Sequence, residues 1–139
     1  MKKLLSLLLV ALLVLPAAAL ADEVVNVFNW YDYIDESVFA QFTEETGIQV
    51  NDMYFTTNEE MMVQVEANPG AFDVCFPSEY IVERMLEKDL LAEINYDNVP
   101  NFQYTLESLQ NPSYDPNNAH SVPYMWGTVG ILYNTTMVW

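Results

Sequence analysis

The chain has 139 residues, enough for one modest domain with its own core, and sets 20 acids against 4 Lys and Arg for a formal charge of −16. DNA, RNA and anionic membranes are poor partners for such a surface, because binding phosphate needs cations; a cationic ligand is attracted over a distance, although acidity also serves simply to keep an exported protein soluble. One cysteine, Cys75, excludes an internal disulfide, and its apolar neighbours suit a buried strand residue better than a reactive thiol.

Residues 1–21 read as a secretory signal peptide. Lys2 and Lys3 form the basic start, residues 4–15 the apolar run, and Ala19-Leu20-Ala21 the small-x-small end. Cleavage after Ala21 leaves 118 of the 139 residues, with all 20 acids and only Arg84 and Lys88 as bases, a formal charge of −18. The apolar run is too short for a membrane span, and no cysteine stands at the cleavage point to take a lipid. These features point to an exported protein that does not insert in the membrane once cleaved. The last residues, Thr136-Met137-Val138-Trp139, follow an apolar run without a polar tail, which reads as a truncated sequence.

Residues 24–28 read as a buried strand. Asp35 caps the helix that follows, with Ile34, Val38 and Phe42 on one face, and Gly47 ends it in the left-handed conformation. Residues 48–55 form a second strand. Thr57 and Glu60 make a capping-box pair that opens a second helix, whose apolar side is Met61, Met62 and Val65 and which breaks at Asn68-Pro69-Gly70. Residues 72–76 are a third strand, short and apolar apart from Asp73, read as a central parallel strand. Ser78 caps a third helix running to about Lys88, with Ile81, Val82 and Met85 inward. A short helix is expected over residues 102–109, turns at Asn111-Pro112 and Asp115-Pro116-Asn117-Asn118, and strands over 121–125 and 128–133.

Strand and helix alternating three times predict an α/β fold: right-handed crossovers, a mostly parallel sheet, and helices on both faces. Ligands bind beyond the carboxyl ends of the strands in such sheets. Three loops meet there, and they carry Trp30, Tyr31, Asp32, Tyr33, Asn58, Glu59, Ser78, Glu79 and Tyr80, with no Lys, Arg or His. The run Phe28-Asn29-Trp30-Tyr31-Asp32-Tyr33 is the most informative. Rings flanking a carboxylate with few bases nearby suit an organic cation, since π faces attract positive charge and the acid accepts from N–H donors. His120 is alone, with no Cys or His at ligand spacing, and reads as a surface residue rather than a metal ligand. The four glycines form no phosphate loop, and no cofactor is expected.

Several segments together resemble a known family. They are Asn29-Trp30-Tyr31-Asp32-Tyr33-Ile34, Phe42-Thr43-Glu44-Glu45-Thr46-Gly47-Ile48, Asn58-Glu59, Phe72-Asp73-Val74, Pro77-Ser78-Glu79-Tyr80, and Asp115-Pro116-Asn117-Asn118 through Pro123-Tyr124-Met125-Trp126-Gly127. In order and spacing the chain resembles the periplasmic polyamine-binding proteins of ABC importers, the spermidine/putrescine-binding subunits. The resemblance implies two α/β lobes joined by crossing strands, with the ligand clamped between them and membrane permease subunits as partners. It places residues 22–127 in the first lobe and 128–139 in the first crossing strand, with the second lobe missing. It implies that Trp30 and Tyr33 pack on the polyamine chain, that Asp32 bonds an amine, and that Ser78 and Tyr80 line the cleft. Tyr31 replaces the small hydroxyl residue usual there and reshapes that end of the pocket. Glu79 matches no ligand contact.

The reading is therefore a solute-binding protein for putrescine or spermidine, not an enzyme. One alternative is a binding protein of the same fold for a sugar or a metal. Sugars also stack on Trp and Tyr but call for more neutral amides, and ferric iron calls for clustered Tyr, His or carboxylates. The other is a secreted hydrolase using Asp32 and Glu79 as an acid–base pair. That alternative lacks a nucleophile–base constellation.

Overall fold

The structure is a computed structural model that describes residues 23–137. The expected signal peptide lies outside the described residues, as do Val138 and Trp139. The elements in order are β1 (Val24–Trp30), α1 (Glu36–Thr46), β2 (Gln49–Phe55), α2 (Asn58–Ala67), β3 (Val74–Cys75) and α3 (Glu79–Glu87). Four short 3₁₀ turns follow: Tyr96–Asn98, Pro100–Tyr104, Glu107–Leu109 and Pro116–Asn118. The fold is α/β with a parallel sheet.

The sheet order is β2-β1-β3. β1 pairs in parallel with β2 from Val24–Gln49 to Trp30–Phe55, and with β3 at Val27–Val74 and Phe28–Cys75. The chain steps outward from β1 to β2 and then returns across β1 to reach β3. Right-handed crossovers therefore put α1 on one face and α2 on the other. The core lies on the α2 and α3 side, where Phe28, Phe55, Met61, Met62, Ile81 and Met85 pack together. Phe28 stacks on Phe72 at 4.3 Å and meets Phe55 edge-on at 5.0 Å. Each such buried side chain contributes about 1.5–3 kcal/mol.

Local chemistry sets the ends of the helices. Asp35 accepts from the Ser37 N–H at 2.9 Å, which satisfies one free donor of α1. Gly47 closes α1 at φ 77°, its N–H bonded to the Thr43 carbonyl. Thr57 Oγ1 accepts from the Glu60 N–H at 3.1 Å. The Glu60 carboxylate turns back to Thr56 instead of Thr57, accepting from its N–H and its hydroxyl. Asn68 ends α2, and Gly70 turns the chain at φ 77°.

The structure corrects the sequence reading in several places. Val38 and Phe42 remain exposed and α1 buries no residue, because α1 is alone on its face of a three-stranded sheet. The third strand is two residues long and lies at the edge; Val74 is exposed, since β1 occupies the centre. Backbone bonds from Asp73 N–H to Asn26 and from Phe76 N–H to Phe28 extend the β3 pairing by a residue at each end. The helix expected over 102–109 is two 3₁₀ turns separated at Thr105 and Leu106. Residues 121–125 and 128–133 form no strand among the described residues, and Val129, Ile131 and Leu132 are essentially fully exposed. His120 is half-buried rather than on the surface, and its Nδ1 is buried without a partner. Its N–H and the Ser121 hydroxyl both donate to Asp115, a buried carboxylate in a turn where Asn117 and Asn118 adopt positive φ.

Candidate ligand-binding site

Reversal of the chain direction about β1 makes the gap between the carboxyl ends of β1 and β3 a topological switch point, where open α/β sheets leave a crevice. β1 delivers Trp30 to that gap. Asn29 is buried beside it and accepts the Trp30 N–H on its own Oδ1 at 2.8 Å, which ends the ladder there. The Trp30 indole N–H donates to the Phe76 carbonyl at 2.8 Å and so ties the β1 end to the β3 end. The Trp30 ring sits 4.5 Å from Phe55 and 5.9 Å from Tyr33. Two aromatic faces thus stand side by side at the switch point, with Tyr33 exposed.

Asp32 lies at the turn between them at φ 61°, a left-handed conformation that a short polar residue tolerates. It is exposed, and among the described residues no cation pairs with it. Tyr31 stands apart from the ring pair and packs edge-on to Tyr54 of β2 at 5.3 Å. Alternation along the strands explains this: Tyr54 points away from the face that Phe55 and Trp30 share.

The N-terminal ends of α2 and α3 meet at Asn58. Its amide nitrogen donates to Ser78 Oγ at 2.9 Å and to the Tyr80 hydroxyl at 3.0 Å, and its oxygen accepts the Ser78 N–H at 3.1 Å. Tyr80 in turn donates to Glu59 at 3.2 Å. Ser78 stands at the N-cap position of α3, but its side chain makes no capping bond, contrary to the sequence expectation. Burial of Tyr114, then the charges of Glu79 and Asp115, raise the Tyr114 phenol above its ordinary value.

Trp30 and Tyr33 form one cluster, then, and Ser78 and Tyr80 another with Asn58 and Glu59. The two are joined through Phe76, two residues before Ser78. Sequence reasoning missed two further residues. Arg84, one turn along α3, brings its guanidinium 5.9 Å from the Tyr80 ring centroid; the i to i+4 spacing was its available signal. Tyr124 donates its hydroxyl to the Tyr33 carbonyl at 2.8 Å and packs on Phe76 at 4.9 Å, bracing both strand ends from 91 residues away in sequence. No local pattern marks such a contact. Lys88, the other described base, pairs with Glu66 at 2.9 Å.

Aromatic and acidic residues thus gather at the switch point of a parallel sheet, the kind of edge at which open α/β folds bind small molecules. No family model matches the chain. The spermidine/putrescine-binding periplasmic protein of Salmonella typhimurium is 32% identical over 123 residues, 88% of this chain and 35% of its own length. The putrescine-binding periplasmic protein SpuD of Pseudomonas aeruginosa is 33% identical over 124 residues, 88% of this chain and 34% of its own. Among solved structures, a putative spermidine/putrescine ABC transporter protein from Listeria monocytogenes superposes with a TM-score of 0.77 at 39% identity, covering 83% of this chain and 36% of that one. The spermidine/putrescine substrate-binding protein PotD of Streptococcus pneumoniae gives 0.76 at 41% identity, covering 84% and 36%. The chain is homologous to the periplasmic polyamine-binding proteins and has the fold of a lobe of PotD-like substrate-binding proteins. It spans about a third of the length of the curated relatives it matches.

Proposed function

We propose that this chain supplies one wall of a polyamine cleft in an exported solute-binding protein, which delivers putrescine or spermidine to the permease subunits of an ABC importer. The observation that carries the reading is the Trp30–Tyr33 ring pair beside the exposed Asp32 at the β1–β3 switch point. Rings along the methylenes and a carboxylate at an ammonium are what a flexible diamine requires. The formal charge of −18 after removal of residues 1–21 draws such a cation inward. Trp30 and Tyr33 pack on the chain of the ligand, Asp32 meets an amine, and Ser78 and Tyr80 line the cleft. Tyr31, turned toward Tyr54, shapes the rim. Binding rather than catalysis, cleavage after Ala21 and a periplasmic location belong to the same reading, as does a lobe over residues 22–127 followed by a crossing strand.

Calorimetry of the full-length gene product against putrescine, spermidine and maltose is the test. Saturable binding of either polyamine with no response to maltose is the expected result. Maltose binding, or no response to either polyamine, would overturn the assignment.

A further inference from the structure

We propose that Asn58 is the positioning residue of this edge and that it holds the Ser78 and Tyr80 oxygens as acceptors for a protonated amine. Asn58 is 6% exposed, and the bonds described above employ its whole amide: two N–H donors and the carbonyl oxygen. Those bonds join the first residue of α2 to the N-terminal end of α3, 20 and 22 positions apart in sequence.

The consequence for the two hydroxyls follows from their capacity. An N-cap serine ordinarily turns its Oγ to the first turn of its helix. The bond from Asn58 draws the Ser78 Oγ away from that role, which accounts for the missing cap bond on α3. Tyr80 accepts from Asn58 and donates its proton to Glu59, so its remaining lone pair is free and its oxygen is polarised by the carboxylate. Ser78 likewise keeps a second lone pair. Neither oxygen needs to reorient when an ammonium arrives, and that preorganisation favours affinity.

The ligand arm of this inference rests on the polyamine reading; the positioning arm does not. In the full-length gene product, Asn58→Ala should weaken putrescine and spermidine binding about tenfold and raise the hydrogen-exchange rate of the Ser78 amide at least as much, with the Phe28 amide unchanged. In a Ser78→Ala/Tyr80→Phe background the same substitution should change affinity less than about twofold, because Asn58 acts through those two groups. If Asn58→Ala does not fold, Ser78→Ala and Tyr80→Phe still decide the matter. Their combined effect on affinity should fall short of the product of the single effects, since one amide serves both. Unchanged affinity in a binding-competent Asn58→Ala protein, full multiplicative loss in the double background, or independent Ser78→Ala and Tyr80→Phe effects would overturn the proposal. A wild-type protein that ignores polyamines would overturn the polyamine reading alone. Ser78 exchange would then still decide the positioning role, an unchanged rate in Asn58→Ala refuting it.

Discussion

Trp30 commits its single side-chain donor to the Phe76 carbonyl and keeps its ring beside Tyr33, so one side chain both ties the two strand ends and presents a ring at their edge. Trp30→Ala should therefore lower polyamine affinity about ten- to a hundredfold, the equivalent of a lost packed ring plus a loosened loop. Asp32→Asn should weaken binding over a similar range by a different route, through lost charge. Its effect should shrink with added salt, whereas the Trp30 effect should not. Calorimetry at two ionic strengths separates them, and unchanged affinity after both substitutions would show that these residues serve only the fold. Cys75 illustrates the opposite behaviour. Burial pushes its thiol from 9.0 up to about 11, which favours the neutral form in the folded state. Its contribution to stability is then fully present below about pH 9 and is lost as the pH rises toward 11. Cys75→Ala should flatten the fall in denaturation midpoint across that interval, and the native thiol should react slowly with alkylating reagents at pH 8. Prompt labelling of the folded protein at pH 8 would contradict the burial.

At the scale of elements, the capping residues carry most of what can be read without a structure. Asp35 and Glu60 both have their carboxyls held below the ordinary range, chiefly by the side-chain bonds to Ser37 and Thr56. A depressed carboxyl contributes stability above its unfolded value and loses it as pH falls, so α1 and α2 should fray early in acid. Asp35→Asn and Glu60→Gln should make helicity less sensitive to pH below about 4.5, measured by circular dichroism. Gly47→Ala tests the other end of α1. No atom lies near the added Cβ, so the cost is the left-handed backbone alone, about 1–2 kcal/mol in a chemical melt. These elements were legible because caps and apolar spacing are local chemistry. The burial of α1 was not, since the spacing of Ile34, Val38 and Phe42 marks a helical face and says nothing of what covers it. The Ser78 cap failed for a related reason: a competing donor, Asn58, arrives from 20 residues away.

At the scale of the whole molecule, the strand ends could be read in advance as the positions of Trp30, Tyr33, Ser78 and Tyr80, which the fold sorts into a Trp30–Tyr33 pair and a Ser78–Tyr80 pair. The Tyr124 brace could not, because it depends on a path that only the folded chain defines, whereas the Arg84 contact with Tyr80 had a local signal in its i to i+4 spacing. The exposed apolar run at residues 128–133 belongs to this scale as well. A mature fragment consisting of residues 22–139 should associate with itself and be clipped first within that run by a broad protease. Sedimentation showing a clean monomer, with first cleavage elsewhere, would contradict this. Finally, β1 is the first of the described strands and is central in the sheet, which gives the lobe a particular assembly schedule. Its pairing with β2 closes a span of 25 residues, from Val24 to Gln49, while its pairing with β3 closes 47, from Val27 to Val74. Longer closures are entropically slower to reach, so the β1–β2 ribbon should dock before β3 does. The indole bond to Phe76 belongs to that last step, and an early refolding intermediate would hold a complete ring pair with no crevice beside it.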